Sequence, residues 1–137
     1  MDRRKFMGSA AVLAAGTVAG MRSRVKTHGP VEMKLVIWTP FTVPCMLSGD
    51  PDRDRFRVRM MPENMPHIHA EIQLSMVREV MEGRGRDVNL RTWNERGEVN
   101  EQISMFVSDG HLNFVPPGGK EETPPIRLRL EDVRRVL

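Results

Sequence analysis

A mostly β fold, a small antiparallel barrel or sandwich with one short helix around 75–82, is what this sequence predicts. Apolar residues recur at every second position in several short runs, the signature of strands with one face buried. Clusters of Gly, Pro, Asn and Asp separate those runs at regular intervals. With 137 residues there is room for one domain with a modest core.

Three divisions are expected: a leader over 1–20, a polar linker over 21–30 ending at the Gly29-Pro30 breaker, and a single domain over 31–137. Within that domain Val31–Trp38 reads as a strand stopped by Pro40. Thr42–Leu47 is short and contains Pro44, which suits an edge strand or a bulge. Gly49–Asp52 reads as a turn. Arg55–Met60 alternates, with Phe56, Val58 and Met60 on one face and three arginines on the other.

The stretch 67–82 satisfies two periods. Ile68, Ala70, Ile72, Leu74 and Met76 alternate like a strand, whereas Ala70, Leu74, Val77 and Met81 follow helical spacing, with Asn64 and Pro66 as start signals for a helix. A strand passing into a short helix near Ser75 accommodates both. Asp87–Trp93 and Val99–Val107 follow as strands around a loop near Asn94–Gly97. Asp109-Gly110 is a two-residue hairpin signal leading into His111–Val115. After a Pro- and Gly-rich loop over 116–125, Ile126, Leu128 and Leu130 alternate with Arg127 and Arg129, and the ending reads as strand, tight turn, strand. That ending resembles the closing element of SH3-like and Sm-like barrels, a resemblance that implies a nucleic-acid-binding module as one alternative function.

The first residues carry a different signal. Arg3-Arg4-Lys5-Phe6-Met7 precedes a mildly apolar run from Ala10 to Ala19, followed by Arg22, Arg24 and Lys26. The order of charged start, short apolar stretch and small residues is a secretory pattern, too short to span a bilayer. Arg3, Arg4 and Phe6 resemble the twin-arginine signal motif, with Asp2 and Met7 departing from its usual flanking residues. The resemblance implies export of an already folded protein through the twin-arginine translocon, to the periplasm or another extracytoplasmic site. Uncleaved, the segment would act as a membrane tether.

The charge divides along the same boundary. The chain's formal charge is +3, but residues 1–26 hold six basic groups and one acid, leaving 15 basic and 17 acidic groups beyond them. The basic excess belongs to the leader, which weakens a nucleic-acid reading of the domain. Cys45 is the sole cysteine, so an intrachain disulfide and a multi-cysteine metal site are both excluded.

Three clusters invite chemistry. Met61, Met65, His67 and His69 offer thioether and imidazole ligands suited to copper, and in an extended segment both imidazoles project to one face. The same residues also read as flexible core filler and solvent-facing histidines. Asp50, Asp52 and Asp54 offer oxygens, but Arg55 and Met61 occupy the positions where a calcium loop needs Gly and Glu. Arg55, Arg57 and Arg59 with Arg127 and Arg129 suggest a basic sheet face without interleaved aromatics. Glu71 and Glu79 stand as scattered carboxylates without a recognisable partner. Nucleophile elbows, phosphate loops and metalloprotease motifs are missing from the sequence. The reading is therefore an exported, non-catalytic binding or accessory-subunit domain that engages a protein partner or a second copy of itself. A periplasmic copper-binding protein and the SH3/Sm-like module are the alternatives.

Overall fold

The computed structural model describes residues 24–36, 40–117 and 126–137. The leader, including Arg3, Arg4 and Phe6, lies outside them. Eight strands follow one another around a closed antiparallel barrel, each paired with its sequence neighbours and the last with the first. They are β1 (Lys26–Val36), β2 (Pro40–Asp50), β3 (Arg55–Met60), β4 (Ile68–Ile72), β5 (Arg86–Asn94), β6 (Gly97–Ser108), β7 (His111–Val115) and β8 (Ile126–Arg129). Two helices accompany them: α1 (Leu74–Met81) and α2 (Leu130–Arg134). The mostly β class expected from the alternation is observed, and of the two expected architectures, barrel and sandwich, it is the barrel.

Closure follows from the alternation. Inward residues from successive strands fill the interior: Met33, Cys45, Leu47, Phe56, Val58, Ala70, Ile72, Val88, Ile103, Met105, Leu112, Phe114 and Leu128 are all buried. An eight-stranded barrel is just wide enough for such side chains to fill. Closure also removes the edges that an open sheet exposes. The seam is the β1–β8 pair, where Lys34 lies opposite Arg127 and Leu35 opposite Ile126.

Both helices sit at one end of the barrel. Leu74, Val77 and Val80 form the buried stripe of α1, while Val133 and Val136 bury the C-terminal segment. Asp54 fixes the start of α1, its carboxylate accepting from the Ser75 backbone N–H at 2.7 Å and from the Ser75 hydroxyl at 2.9 Å. This bond ties the β2–β3 turn to the helix and satisfies one of the first-turn donors that a helix leaves open.

Three local readings are corrected. First, β1 begins at Lys26 and so takes in Lys26–Pro30 of the expected linker, with a bulge between His28 and Val31. Second, Thr42–Leu47 belongs to an 11-residue strand paired on both sides rather than to an edge. Pro44 is tolerated because it lies one residue past the last β2–β3 pair, Cys45 with Met60; only its carbonyl is used there, accepting from the Met61 N–H at 2.9 Å. Third, the ending is strand then helix: after Arg129 the chain turns into α2, and no second strand follows within 130–137. Elsewhere the sequence is followed closely. The strand-to-helix passage falls at Gln73, between β4 and α1. Asp109 and Gly110 both adopt positive φ, at 56° and 75°, as the tight hairpin needs. No described helix is long and apolar enough to cross a membrane.

Candidate functional site

On the outer wall of β3, β4 and β5, cross-strand register builds two rows of polar and aromatic side chains. Arg57 lies opposite Glu71, which lies opposite Arg91; Arg59 lies opposite His69, which lies opposite Trp93. The inward partners of these residues are the apolar core positions, so the same period that fills the barrel aims this group outward.

Glu71 organises the first row. Its carboxylate accepts from Arg57 Nε at 2.6 Å and from Arg91 Nη1 at 3.4 Å, and lies 3.8 Å from Arg55 Nε. The Glu71 side chain is only 13% exposed, so these contacts are partly shielded from water. Arg91 also reaches Glu98 at 2.9 Å. That hydrogen bond holds the Arg91 guanidinium above its ordinary range and the Glu98 carboxyl below its own, with Asn100 adding a second bond to Glu98.

The second row is aromatic and cationic. The His69 and Trp93 rings are stacked, with centroids 5.2 Å apart and planes inclined by 12°. Arg91 lies over the Trp93 ring at 4.3 Å and Arg57 at 5.6 Å. Such guanidinium–indole contacts draw the cation to the electron-rich face of the ring. Arg59 differs from its neighbours: it stands between Met46 and His69 in the register and forms no ion pair with any described residue. Burial lowers the His69 pKa, and the charges of Arg59, His67 and Arg57 lower it further.

The sequence-based candidates distribute unevenly around this wall. His67 and His69 line one shallow hollow of about 420 Å³ together with Pro66, Trp93, Asn94 and Glu95. Met61 and Met65 do not line it; Met65 is 60% exposed. Among the described residues, no three His, Cys, Asp or Glu side chains converge as metal ligands. Cys45 is fully buried in the core, and burial, followed by the charge of Asp132, pushes its thiol up to about 12. The acidic turn is occupied internally: Asp50 accepts from the backbone of Asp52 and Arg53, Asp52 pairs with Arg24, and Asp54 holds Ser75.

Two sequence expectations change. The single basic face of Arg55, Arg57, Arg59, Arg127 and Arg129 is two faces, because β1 and β2 stand between β8 and β3. Glu71, read as lacking a partner, has three arginines around it. Trp93 and Arg91 went unnoticed as members of the face. Their i, i+2 spacing in β5 was the available signal, since it places both on one side of a strand.

Inside the barrel, Met33, Phe56, Val58, Met60, Leu90 and Phe114 help enclose an apolar cavity of about 90 Å³. That is well below the volume of typical small-molecule sites, so the interior is packing space. Set against family models, curated proteins and solved structures, the chain has no significant match.

Proposed function

We propose that this protein is an exported, non-catalytic interaction domain that grips an acidic protein surface with the outer wall of β3, β4 and β5. The observation that carries this reading is Arg59. Among the described residues it is a cation without a carboxylate partner, placed beside a Trp–His stack and next to the arginines held in position by Glu71. Arginine and tryptophan dominate the energetics of protein interfaces, and pre-positioned guanidinium groups bind carboxylates with little further ordering. A base-stacking platform is a poorer fit, because Trp93 already stacks on His69 and carries Arg91 over its ring. The leader motif at Arg3, Arg4 and Phe6 supports export, and an accessory subunit carried or assembled with a partner is the plainest setting.

A second reading, soft-metal capture, rests on His67 and His69 sharing one hollow. The positive charges of Arg57 and Arg59 act directly on His69 and oppose a cation there.

The test uses Trp93 as its own reporter in a Trp38→Phe background. Titration with poly-L-glutamate should shift Trp93 fluorescence saturably, with affinity falling as salt rises. Arg59→Gln should weaken that binding by about fivefold or more. If poly-L-glutamate gives no response and single-stranded oligothymidylate does, the nucleic-acid module replaces this reading. If Cu(I) alone binds, and binding is lost in a His67→Ala/His69→Ala variant, the metal reading replaces it.

A further inference from the structure

On the wall formed by β7, β8 and β1, a second group of cations faces outward, apart from the Arg59 face. Arg127 is held from beneath. Its Nε donates to the Asn113 Oδ1 at 3.0 Å, and Asn113 is fully buried. The Asn113 amide nitrogen is anchored in turn by the carbonyl oxygens of Phe106, Ser108 and His111 at 3.3, 3.4 and 3.2 Å. A buried carboxamide used at both ends has one orientation available, so it sets the position of the Arg127 guanidinium.

The remaining donors of Arg127 find no acceptor among the described residues. Its Nη2 lies 3.2 Å from the His111 Nδ1, but that nitrogen is also 2.8 Å from the Asp109 carbonyl oxygen. A ring nitrogen either donates or accepts, and a carbonyl oxygen only accepts. The shorter contact therefore places the proton on Nδ1, directed at Asp109, and leaves Arg127 Nη2 without an acceptor among the described residues. Of the five N–H groups of a guanidinium, only the Nε–H is then satisfied by a described residue.

The neighbours add charge. Lys34 is the register partner of Arg127 across the barrel seam. Lys34, His111, Arg129 and Arg134 line a hollow of about 410 Å³ with Gly110, Leu130 and Glu131, and Arg127 borders it through His111. Neither Lys34, Arg127 nor Arg134 forms an ion pair with a described residue. The nearby acids are engaged or apart: Glu131 pairs with Arg129, Asp132 faces His28 at 3.2 Å, and Glu32, further along β1, pairs with none of these cations.

We propose that Lys34, Arg127 and Arg134 form a binding site for a dianionic phosphoryl oxyanion. The guanidinium of Arg127 supplies paired donors in a fixed plane, and Lys34 and Arg134 supply flanking charge. Three cations without carboxylate partners among the described residues match a dianion better than a single carboxylate, and phosphoryl oxygens accept several hydrogen bonds at once. The hollow exceeds the size of a free phosphate ion, which leaves room for a small organic group attached to the phosphoryl.

Titration of the isotope-labelled full chain with inorganic phosphate, glycerol 3-phosphate and acetate, read at the Arg127 Nε–Hε signal, tests the assignment. Saturable shifts with both phosphoryl probes, and weaker binding of acetate, are expected. Tighter binding of glycerol 3-phosphate assigns a phosphomonoester, and equal binding assigns free phosphate. Lys34→Gln, at an exposed position that leaves the Asn113 anchor in place, should weaken phosphate binding by about fivefold. Arg59→Gln, on the other wall, should leave it unchanged. Acetate binding as tight as phosphate, or affinities unmoved by Lys34→Gln, would overturn the proposal. Since Arg59→Gln reports the other wall separately, failure here and failure of the acidic-partner reading are distinguishable.

Discussion

Trp93 stacks on His69 across the β4–β5 pair, with the two rings nearly parallel at 5.2 Å, and Arg59 is the register partner of His69 on the other side. The imidazole thus lies between an indole and a guanidinium that pairs with no described carboxylate, which favours its neutral form. Burial is the larger cause of its lowered pKa, and Arg59 the next. In the window between that lowered pKa and 6.5, the unfolded chain binds more protons than the folded one at this site. Stability therefore rises with pH through the window and falls as pH drops back through it. An NMR titration should place the His69 midpoint below 6.5, and Arg59→Gln should raise it. A midpoint at or above 6.5 in the unmodified protein would remove the electropositive setting on which the docking face depends.

Glu71 and Arg57 are expected to couple more strongly than exposed ion pairs usually do. Exposed pairs contribute about 0–1 kcal/mol, whereas hydrogen bonds to charged groups reach about 1.5–3 kcal/mol when shielded. With Glu71 13% exposed and Arg57 45%, the pair falls between these limits. A double-mutant cycle on Glu71→Gln and Arg57→Gln should give a coupling of about 1 kcal/mol. Glu71→Gln alone should cost more than Arg57→Gln, because it also removes the negative charge that Arg55 and Arg91 share. Equal single-mutant costs with no coupling would mean that Glu71 does not organise the row.

Much of the barrel was legible because its strands announce themselves locally. Phe56, Val58 and Met60 alternate with arginines, and β3 spans the same six residues the pattern marks. The passage from β4 into α1 was readable where period 2 gives way to period 3.6. What sequence cannot carry is pairing between distant segments. The seam joins Lys34 to Arg127, and nothing near either residue encodes that contact. The candidate site was hidden for the same reason. Arg59 and Trp93 are on strands that do not pair with each other, and only β4, standing between them, brings their rows together. The C-terminal helix was missed because Ile126, Leu128 and Leu130 keep alternating past Arg129, where the chain has already turned.

Cys45 should be inert in the folded protein. Its side chain is wholly buried, and its thiol, pushed up to about 12, remains protonated at neutral pH. A disulfide-exchange reagent should react only upon unfolding. The shift also has a stability consequence. The unfolded thiol ionises near 9.0, so above that pH the unfolded chain loses a proton that the folded chain keeps. Stability is complete below 9.0 and declines as pH rises toward about 12. Denaturation at pH 8 and pH 10 should show a steeper loss for the unmodified protein than for Cys45→Ala. Parallel losses, or a native thiol that reacts at the rate of the unfolded one, would place Cys45 outside the core.

Gly49 is the point at which the C-terminal segment meets the barrel. It is buried in β2, and a Cβ placed on it would collide with the Val136 carbonyl oxygen and come within 3.5 Å of the Leu74 side chain. The collision is with backbone, so no rotamer change relieves it. Overpacking of this kind costs about 1–3 kcal/mol. Gly49→Ala should therefore destabilise the protein by at least that much or expel the segment that carries α2. Hydrogen exchange separates the two outcomes. Expulsion would expose the amides of 130–137, including the Val136 N–H that now donates to Val133 at 3.1 Å, while β3 and β4 stay protected. Global destabilisation would raise exchange throughout the barrel. Either result fixes Gly49 as the contact that seats the C-terminal helix, whereas a variant as stable and as protected as the parent would refute that close approach.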